Sequence, residues 1–356
     1  MRTASITVQR QAASGDGSAS CAGAALDQTT PPHASTSDAF EAATDRDRLA
    51  HIHAVWWYGL GGLWVLNAFL QAQPSMFAAN GLAGNVLLPA AQGQPSWIAI
   101  PMVWAIGIWE RHPVAWNGVA VLLELTIGCL LLGGRRRPLL GRAGLVISIA
   151  WGLVVWYFGE GLGGLFSGSP TYLAGAPGSA LLYVLLASAL LLSGSVWASP
   201  WLLRALQVIA GILLGIGGLL QVAPVYWSPL GLASVLQSVA MMPLPFGLGA
   251  LDARLIVSMA SAPVVWNATL SALLLGPSIA LLFGRLGKTL ALIALVSLLF
   301  IWVVFQGCGM IFSGMSTDPN TPVLWALLIA PGLVSAQGRK WRWAPLPSRL
   351  ARHALR

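Results

Sequence analysis

Charge is what this chain has least of. Asp, Glu, Lys and Arg make up 8% of its 356 residues and hydrophobic residues 56%, whereas a soluble domain is about a quarter charged. A soluble globular domain is excluded. The pI near 10 and the net charge of +8 therefore report on membrane topology rather than on a nucleic-acid partner. Lysine is nearly missing, with Lys288 and Lys340 standing among many arginines. Three cysteines, Cys21, Cys129 and Cys308, form no C-x-x-C and no evident pair, so neither a disulfide framework nor a thiolate zinc site is implied. The five histidines, His33, His51, His53, His112 and His353, lie in tails or near predicted span ends. They leave no transmembrane pair for a b-type haem, and His51-x-His53 lacks a third metal ligand. Nucleotide-binding, serine-hydrolase and zinc-protease motifs are all missing.

What is present is apolar length. Eight stretches, at 54–72, 113–133, 140–160, 178–196, 202–221, 263–283, 287–307 and 319–336, come close to the roughly 20 residues a helix needs to cross hydrocarbon. Residues 1–50 are rich in Ala, Ser, Thr, Gly and Asp and hold six of the eleven acidic residues; they read as a disordered cytoplasmic tail without the apolar core of a secretory signal. Residues 338–356 read as a basic cytoplasmic tail. Placing the amino terminus inside puts 17 of the 19 Lys and Arg on the inner side and leaves Arg111 and Arg254 outside. That asymmetry predicts both termini on the cytoplasmic side of a bacterial inner membrane. The long connections 73–112 and 223–262 read as outer-face caps of short helices lying at the interface, with a crossing by 97–109 as the alternative.

The chain also repeats itself. W-Y-F-G-E-G-L-G-G-L-F-S-G at 156–168 returns 146 residues later as W-V-V-F-Q-G-C-G-M-I-F-S-G at 302–314. Upstream the offset is 150, pairing Gln71 with Gln221, Gly81 with Gly231, Asn117 with Asn267, and Gly134-Arg135 with Gly284-Arg285. The predicted fold is an all-α polytopic membrane protein, eight transmembrane helices arranged as two parallel four-helix repeats, 51–200 and 201–337, with outer-face cap helices. An even number of helices per copy gives both copies the same orientation, related by an axis along the membrane normal.

Ionisable and amide side chains within the spans are the site candidates, because each costs free energy in hydrocarbon. Glu124 lies well inside the second span, seven residues after Asn117, with Leu274 at the corresponding place. It either fastens that helix to a neighbour or carries a ligand or proton. Glu160 ends the third span, and Gln306 corresponds to it. The glycines around both allow close helix packing, a bend over a cavity or a backbone approach to a ligand. Gln71, Gln221, Asn117 and Asn267 bring amides to the same outer leaflet, where they either converge on a polar pocket or bind water and lipid headgroups. Asp318, in Thr317-Asp318-Pro319, reads as a helix cap. The methionines after Met1, among them Met76, Met102 and Met310, fall at or near the outer face, as Cu(I) ligands or as flexible filling. No metal site is expected.

Glu124-Leu125-x-x-Gly128-x-Leu130-Leu131-Leu132-x-Gly134, followed by Arg136 and Arg137 and an apolar helix, resembles the DoxX-like membrane family of small four-helix proteins. The resemblance covers about 54–196 and reaches the second half through the duplication, where Leu274 departs from it. It implies a quinone-linked role, since some members are subunits of thiosulfate:quinone oxidoreductases, and therefore a redox partner protein, with electrons supplied from outside a chain that has no cofactor ligands. Three functions follow as expectations: a component of a membrane redox system that binds a quinone or another lipophile, a small-molecule or ion carrier, and a non-catalytic membrane scaffold. The expected partner in each case is the lipid bilayer, and none involves nucleic acid.

Overall fold

The computed structural model describes residues 36–335 apart from 200, 242 and 243; the basic segment expected at 338–356 and residues 1–35 lie outside the described residues. Among the described residues there is no strand. In chain order the helices are α1 (Thr36–Gln71), α2 (Leu88–Ala91), α3 (Ser96–Arg111), α4 (Pro113–Gly134), α5 (Pro138–Val154), α6 (Ser179–Leu190), α7 (Gly194–Trp197), α8 (Trp201–Gln221), α9 (Pro229–Ala240), α10 (Leu248–Ser261), α11 (Pro263–Leu282), α12 (Lys288–Phe300) and α13 (Thr321–Ser335). The described residues from Glu41 onward form one packing unit; of the unit before it, Met1–Phe40, only 36–40 are described, and they are helical.

Four segments, Pro113–Gly134, Pro138–Gly159, Trp201–Gln221 and Pro263–Leu282, are long and apolar enough to cross a membrane, and half or less of each is buried within the protein. The remainder is apolar surface, with Leu122, Leu139, Leu219, Val265, Ile279 and Phe283 turned outward. Apolar surface on helices of this length is stable when hydrocarbon, not water, covers it. The expectation of eight spans near twenty residues is met by these four. α6 has 12 residues and α13 has 15, and α12 with its terminal π-turn is also short. α1 is long enough, but Trp56, Trp57, Trp64 and Asn67 keep it less apolar than the four.

The tail expected through residue 50 is corrected in part, because α1 begins at Thr36. Polar composition hid the cause. Leu49, Ile52, Trp56 and Leu60 recur at three- and four-residue spacing and are all buried, so tertiary packing draws the helix back beyond the apolar run. The main core then runs from Leu49 to Ile329 across the expected boundary at 200. The segments 73–112 and 223–262 do contain short helices, α2 and α3 in one and α9 and α10 in the other. A small second core of Ala83, Ala91, Ile98, Met102, Ile106 and Leu162 seats α3 on the loop after α5.

Small residues set how closely the helices approach. A Cβ on Gly61 of α1 would meet Leu131 and Leu132 of α4; 150 residues on, one on Gly211 of α8 would meet Leu281 and Leu282 of α11. The repeated glycine motif does something else. Both α5 and α12 end in a π-turn, Val155–Gly159 and Ile301–Phe305, and each chain segment then runs through four residues of positive φ. These are Gly161, Leu162, Gly163 and Gly164 in one and Gly307, Cys308, Gly309 and Met310 in the other. A left-handed backbone costs an L-residue roughly 1–2 kcal/mol, and glycine avoids most of that. Gly163 is also held by space, since a Cβ there would sit 1.9 Å from the Pro177 carbonyl oxygen. Gly168, at φ 88°, has nothing within 4 Å. Gly163→Ala is therefore expected to destabilise the purified chain clearly more than Gly168→Ala, whose cost is confined to about 1–3 kcal/mol of backbone strain. Thermal unfolding of both variants in one detergent checks this; equal losses would remove the close approach as the reason for this glycine.

Candidate functional site

The amides at the helix ends come together in pairs. Gln71 Nε2 donates to Asn117 Oδ1 at 2.5 Å, and Asn117 Nδ2 returns a bond to the Gln71 carbonyl at 3.0 Å. Gln221 Nε2 donates to Asn267 Oδ1 at 2.7 Å, and Asn267 Nδ2 to the Gln221 carbonyl at 3.1 Å. All four residues are buried. The pairs tie the last residue of α1 to the second turn of α4 and the last residue of α8 to the second turn of α11, satisfying carbonyls that would otherwise be orphaned at the helix ends. Of the two readings of these four, the structure supplies neither directly: they bond one another in pairs, Gln221 Oε1 also accepts from the Thr171 hydroxyl at 2.7 Å, and none of the four lines the cavity described below.

Gln306 is likewise internal. Its Nε2 donates to the Leu173 carbonyl and to Thr321 Oγ1, both at 3.2 Å. A carboxylate could not replace it there, since Leu173 offers only an acceptor. Glu124 is buried on α4 and accepts one long bond, 3.3 Å, from Trp151 Nε1 of α5, while its Oε2 has no protein partner. The Trp151 bond joins α4 to α5 through Glu124, and the second carboxyl oxygen is left over.

Glu160 stands apart. Its Oε1 accepts from Ser179 Oγ at 2.5 Å and from the Ala180 amide at 3.1 Å, so the carboxyl sits on the amino terminus of α6. Gly178 makes room for it, because a Cβ there would lie 2.2 Å from Glu160 Oε2. The same Ser179 hydroxyl lies 3.0 Å from Asp318 Oδ2. Asp318 Oδ1 accepts from the Asn320 amide at 2.5 Å, and Asn320 Oδ1 accepts from the Thr321 amide at 2.9 Å. The expected cap is therefore displaced: α13 starts at Thr321, Asn320 performs the capping, and Asp318 turns its other oxygen towards Glu160. Sequence reasoning missed Ser179 and gave Asp318 the wrong role. The available signal was positional, a hydroxyl residue opening a helix after Pro in both halves, as Ser179 and Thr321 do.

Proton counting defines what this group can do. A serine hydroxyl has one proton to donate, and here it faces two carboxyls. With Ser179 donating to one, the other must itself carry a proton for its contact to be a hydrogen bond. Burial raises the Glu160 carboxyl above the ordinary carboxylate range, the Asp318 carboxyl beside it raises it further, and the Ser179 and Ala180 bonds oppose both. Burial raises Asp318 in the same direction. Two buried carboxyls facing one hydroxyl favour keeping a proton between them over a range where isolated ones would be ionised.

A cavity of about 550 Å³ opens on Glu160 and Ser179 of this group, while Asp318 is not part of its wall. Glu160, Ser179 and Asn320 line it together with Gln92, Gln94 and Thr171, and the rest of its wall is Pro, Gly, Ala and Ser. A quinone, which the DoxX-like resemblance implies, needs aromatic or long aliphatic side chains against its ring faces. This cavity has none along its wall, so the residues present do not fit that group. Gln71, Gln221, Asn117, Asn267, Glu124 and Gln306 do not line it. Among the described residues no cluster of three or more His, Cys, Asp or Glu is placed to hold a metal ion; His53 stacks on Trp57 and meets Trp197 edge-on. Comparison with protein-family models, with curated proteins and with solved structures finds no match to the chain.

Two expectations follow. In a double-mutant cycle on Gln71→Leu and Asn117→Leu, read by thermal unfolding, the coupling energy is expected near 0.6 and at most about 1.7 kcal/mol, as for other hydrogen bonds between membrane helices; zero coupling would contradict the clamp. For the carboxyls, a folded-state shift upward means that the unfolded chain sheds its protons first. Their contribution is thus fully present below the ordinary carboxylate range, about pH 4, and declines as pH rises above it. Glu160→Gln is expected to flatten that decline, and unfolding midpoints of both proteins between pH 4 and 8 check it.

Proposed function

We propose that the chain is a bacterial inner-membrane protein of two tandem four-helix units, and that its working site is the Glu160–Ser179–Asp318 group, which binds a small hydrophilic solute bearing amine or hydroxyl donors. The observation that carries this reading is the shared Ser179 hydroxyl at the floor of a cavity walled by polar and small residues. An arriving ammonium group replaces the proton held between the carboxyls with no change in the net charge of the group. Solute binding and proton release are thereby linked.

The tandem arrangement is supported by contacts that recur at corresponding places. The two Gln–Asn clamps are 150 residues apart. Trp156 Nε1 donates to the Pro177 carbonyl at 2.8 Å, and Trp302 Nε1 to the Pro319 carbonyl at 2.7 Å. Each half also reaches into the other: Tyr226 of the second donates to the Ser169 carbonyl, and Ser75 of the first to the Gly314 carbonyl. Such mutual exchange is what an axis between the halves produces. With both termini cytoplasmic, the cavity faces the outer side. Of the readings open to the sequence this favours a solute carrier over a lipophile-binding redox subunit, and DoxX-like kinship then describes the four-helix unit rather than its ligand.

The test is calorimetric titration of the purified full chain with a panel of small amines and polyols in two buffers of different ionisation enthalpy. At least one amine is expected to bind with release of about one proton, more weakly at low pH, where the carboxyls hold theirs. Glu160→Gln and Asp318→Asn abolish that linkage, whereas Asn117→Ala leaves it. Stoichiometric quinone in the lipid extract of the native protein, with amine binding untouched by Glu160→Gln, would sink the proposal.

A further inference from the structure

A second cavity, about 590 Å³, lies at the opposite end of α5 from Glu160, between the last turns of α4 and the turn into α5. Its depth is apolar, made by Leu125, Cys129 and Leu130 of α4 and Leu140 of α5, and Gly133 keeps it open. The Thr126 hydroxyl there is already spent on the Leu122 carbonyl at 2.6 Å. Its mouth is basic: Arg136 and Arg137 line it, and both are exposed. The neighbouring Arg135 is committed elsewhere, its guanidinium lying 5.0 Å from the centre of the Tyr58 ring. α5, 17 residues long, starts at Pro138 beside the same mouth, and its amino terminus adds positive potential there.

We propose that this groove seats one anionic phospholipid, its phosphate between Arg136 and Arg137 and an acyl chain along α4. The argument is charge complementarity joined to shape. Two guanidinium groups above an apolar slot, on the flank of a helix long and apolar enough to span the bilayer, match a molecule that is an anion at one end and a hydrocarbon at the other. A soluble anion would use the mouth and leave the slot empty; a zwitterionic lipid would fill the slot without satisfying both arginines. The second half supplies a built-in contrast. At Gly133's place, 150 residues on, stands Phe283, and the shorter basic loop that follows, Gly284-Arg285-Leu286-Gly287-Lys288, has no adjacent arginines, so both the space and the paired guanidinium groups belong to the first half. This inference is independent of the solute site, which lies beyond the other end of α5.

Cys129 reports on the seat, since its thiol is exposed in the groove. The full chain, purified in neutral detergent, is alkylated with N-ethylmaleimide and modification at Cys129 is followed by peptide mass spectrometry. Phosphatidylglycerol is expected to slow the reaction about fivefold at a concentration several times its dissociation constant. Phosphatidylcholine slows it less than half as much, and glycerol 3-phosphate leaves it unchanged. The double variant Arg136→Gln/Arg137→Gln, on exposed positions that leave the fold intact, abolishes the difference between the two lipids. Gly133→Phe, which copies the second half, abolishes protection by both. Equal protection by phosphatidylcholine, protection by glycerol 3-phosphate, or a lipid difference that survives in the double variant each overturns the proposal.

Discussion

The contact on which the rest depends is the Pro177 carbonyl lying against Gly163, too near for any side chain. A helix ending in or near hydrocarbon cannot leave its last carbonyls and amides bare. α5 solves this by widening into a π-turn, reversing through four left-handed residues, and drawing the loop before α6 onto itself through the Trp156 indole. Once Pro177 is held there, Gly178 lies beside the Glu160 carboxyl and Ser179 comes within hydrogen-bond reach of it. The position of the one carboxyl in the cavity wall is thus a by-product of how the helix ends.

The chain just after α12 takes the same local course without a carboxyl. The π-turn, the left-handed run and the indole bond all return, but Gln306 takes the place of Glu160 and turns inward to carbonyls. The interior differs more widely. In the first half Tyr183 donates to Asn67, Trp64 to Ser148 and Trp151 to Glu124, a polar set drawn from α1, α4, α5 and α6. In the second, Gly217 and Leu274 stand at the places of Asn67 and Glu124. Gly217 leaves room for Tyr172, which a Cβ there would strike at 2.6 Å, and Tyr172 packs on Trp325 at 5.6 Å between ring centres. A ring from the first half thereby fills the interior of the second, and the two halves cannot act as equivalent sites.

Several residues were legible as special without being legible in role. Gln71, Asn117, Gln221 and Asn267 stand out because amides near span ends are costly, and the structure shows each buried. Their partners were not readable, since side chains 46 residues apart have no spacing rule that brings them to 2.5 Å. Asp318 followed a local capping rule that Asn320 satisfies instead, and the oxygen so released found Ser179. The repeat register was readable at an offset of 146 around the glycine motif. The indole bonds place Pro177 opposite Pro319, an offset of 142, so the second loop is shorter by four residues at a point where sequence identity has already faded. The start of α1 was missed because composition describes the average of a segment, whereas a single buried stripe, Leu49 to Leu60, is enough to hold a helix.

By itself the sequence determined the class and the frame: too little charge for water, apolar lengths suited to a bilayer, glycines that mark where helices must stop, and a motif stated twice. These are properties of composition and of neighbours along the chain. Tertiary structure decided the site. Glu160, Ser179 and Asp318 come from three separate segments, the last two 139 residues apart. What joins them is a burial that no local pattern encodes, because the protonation of one carboxyl depends on the other arriving beside the same hydroxyl.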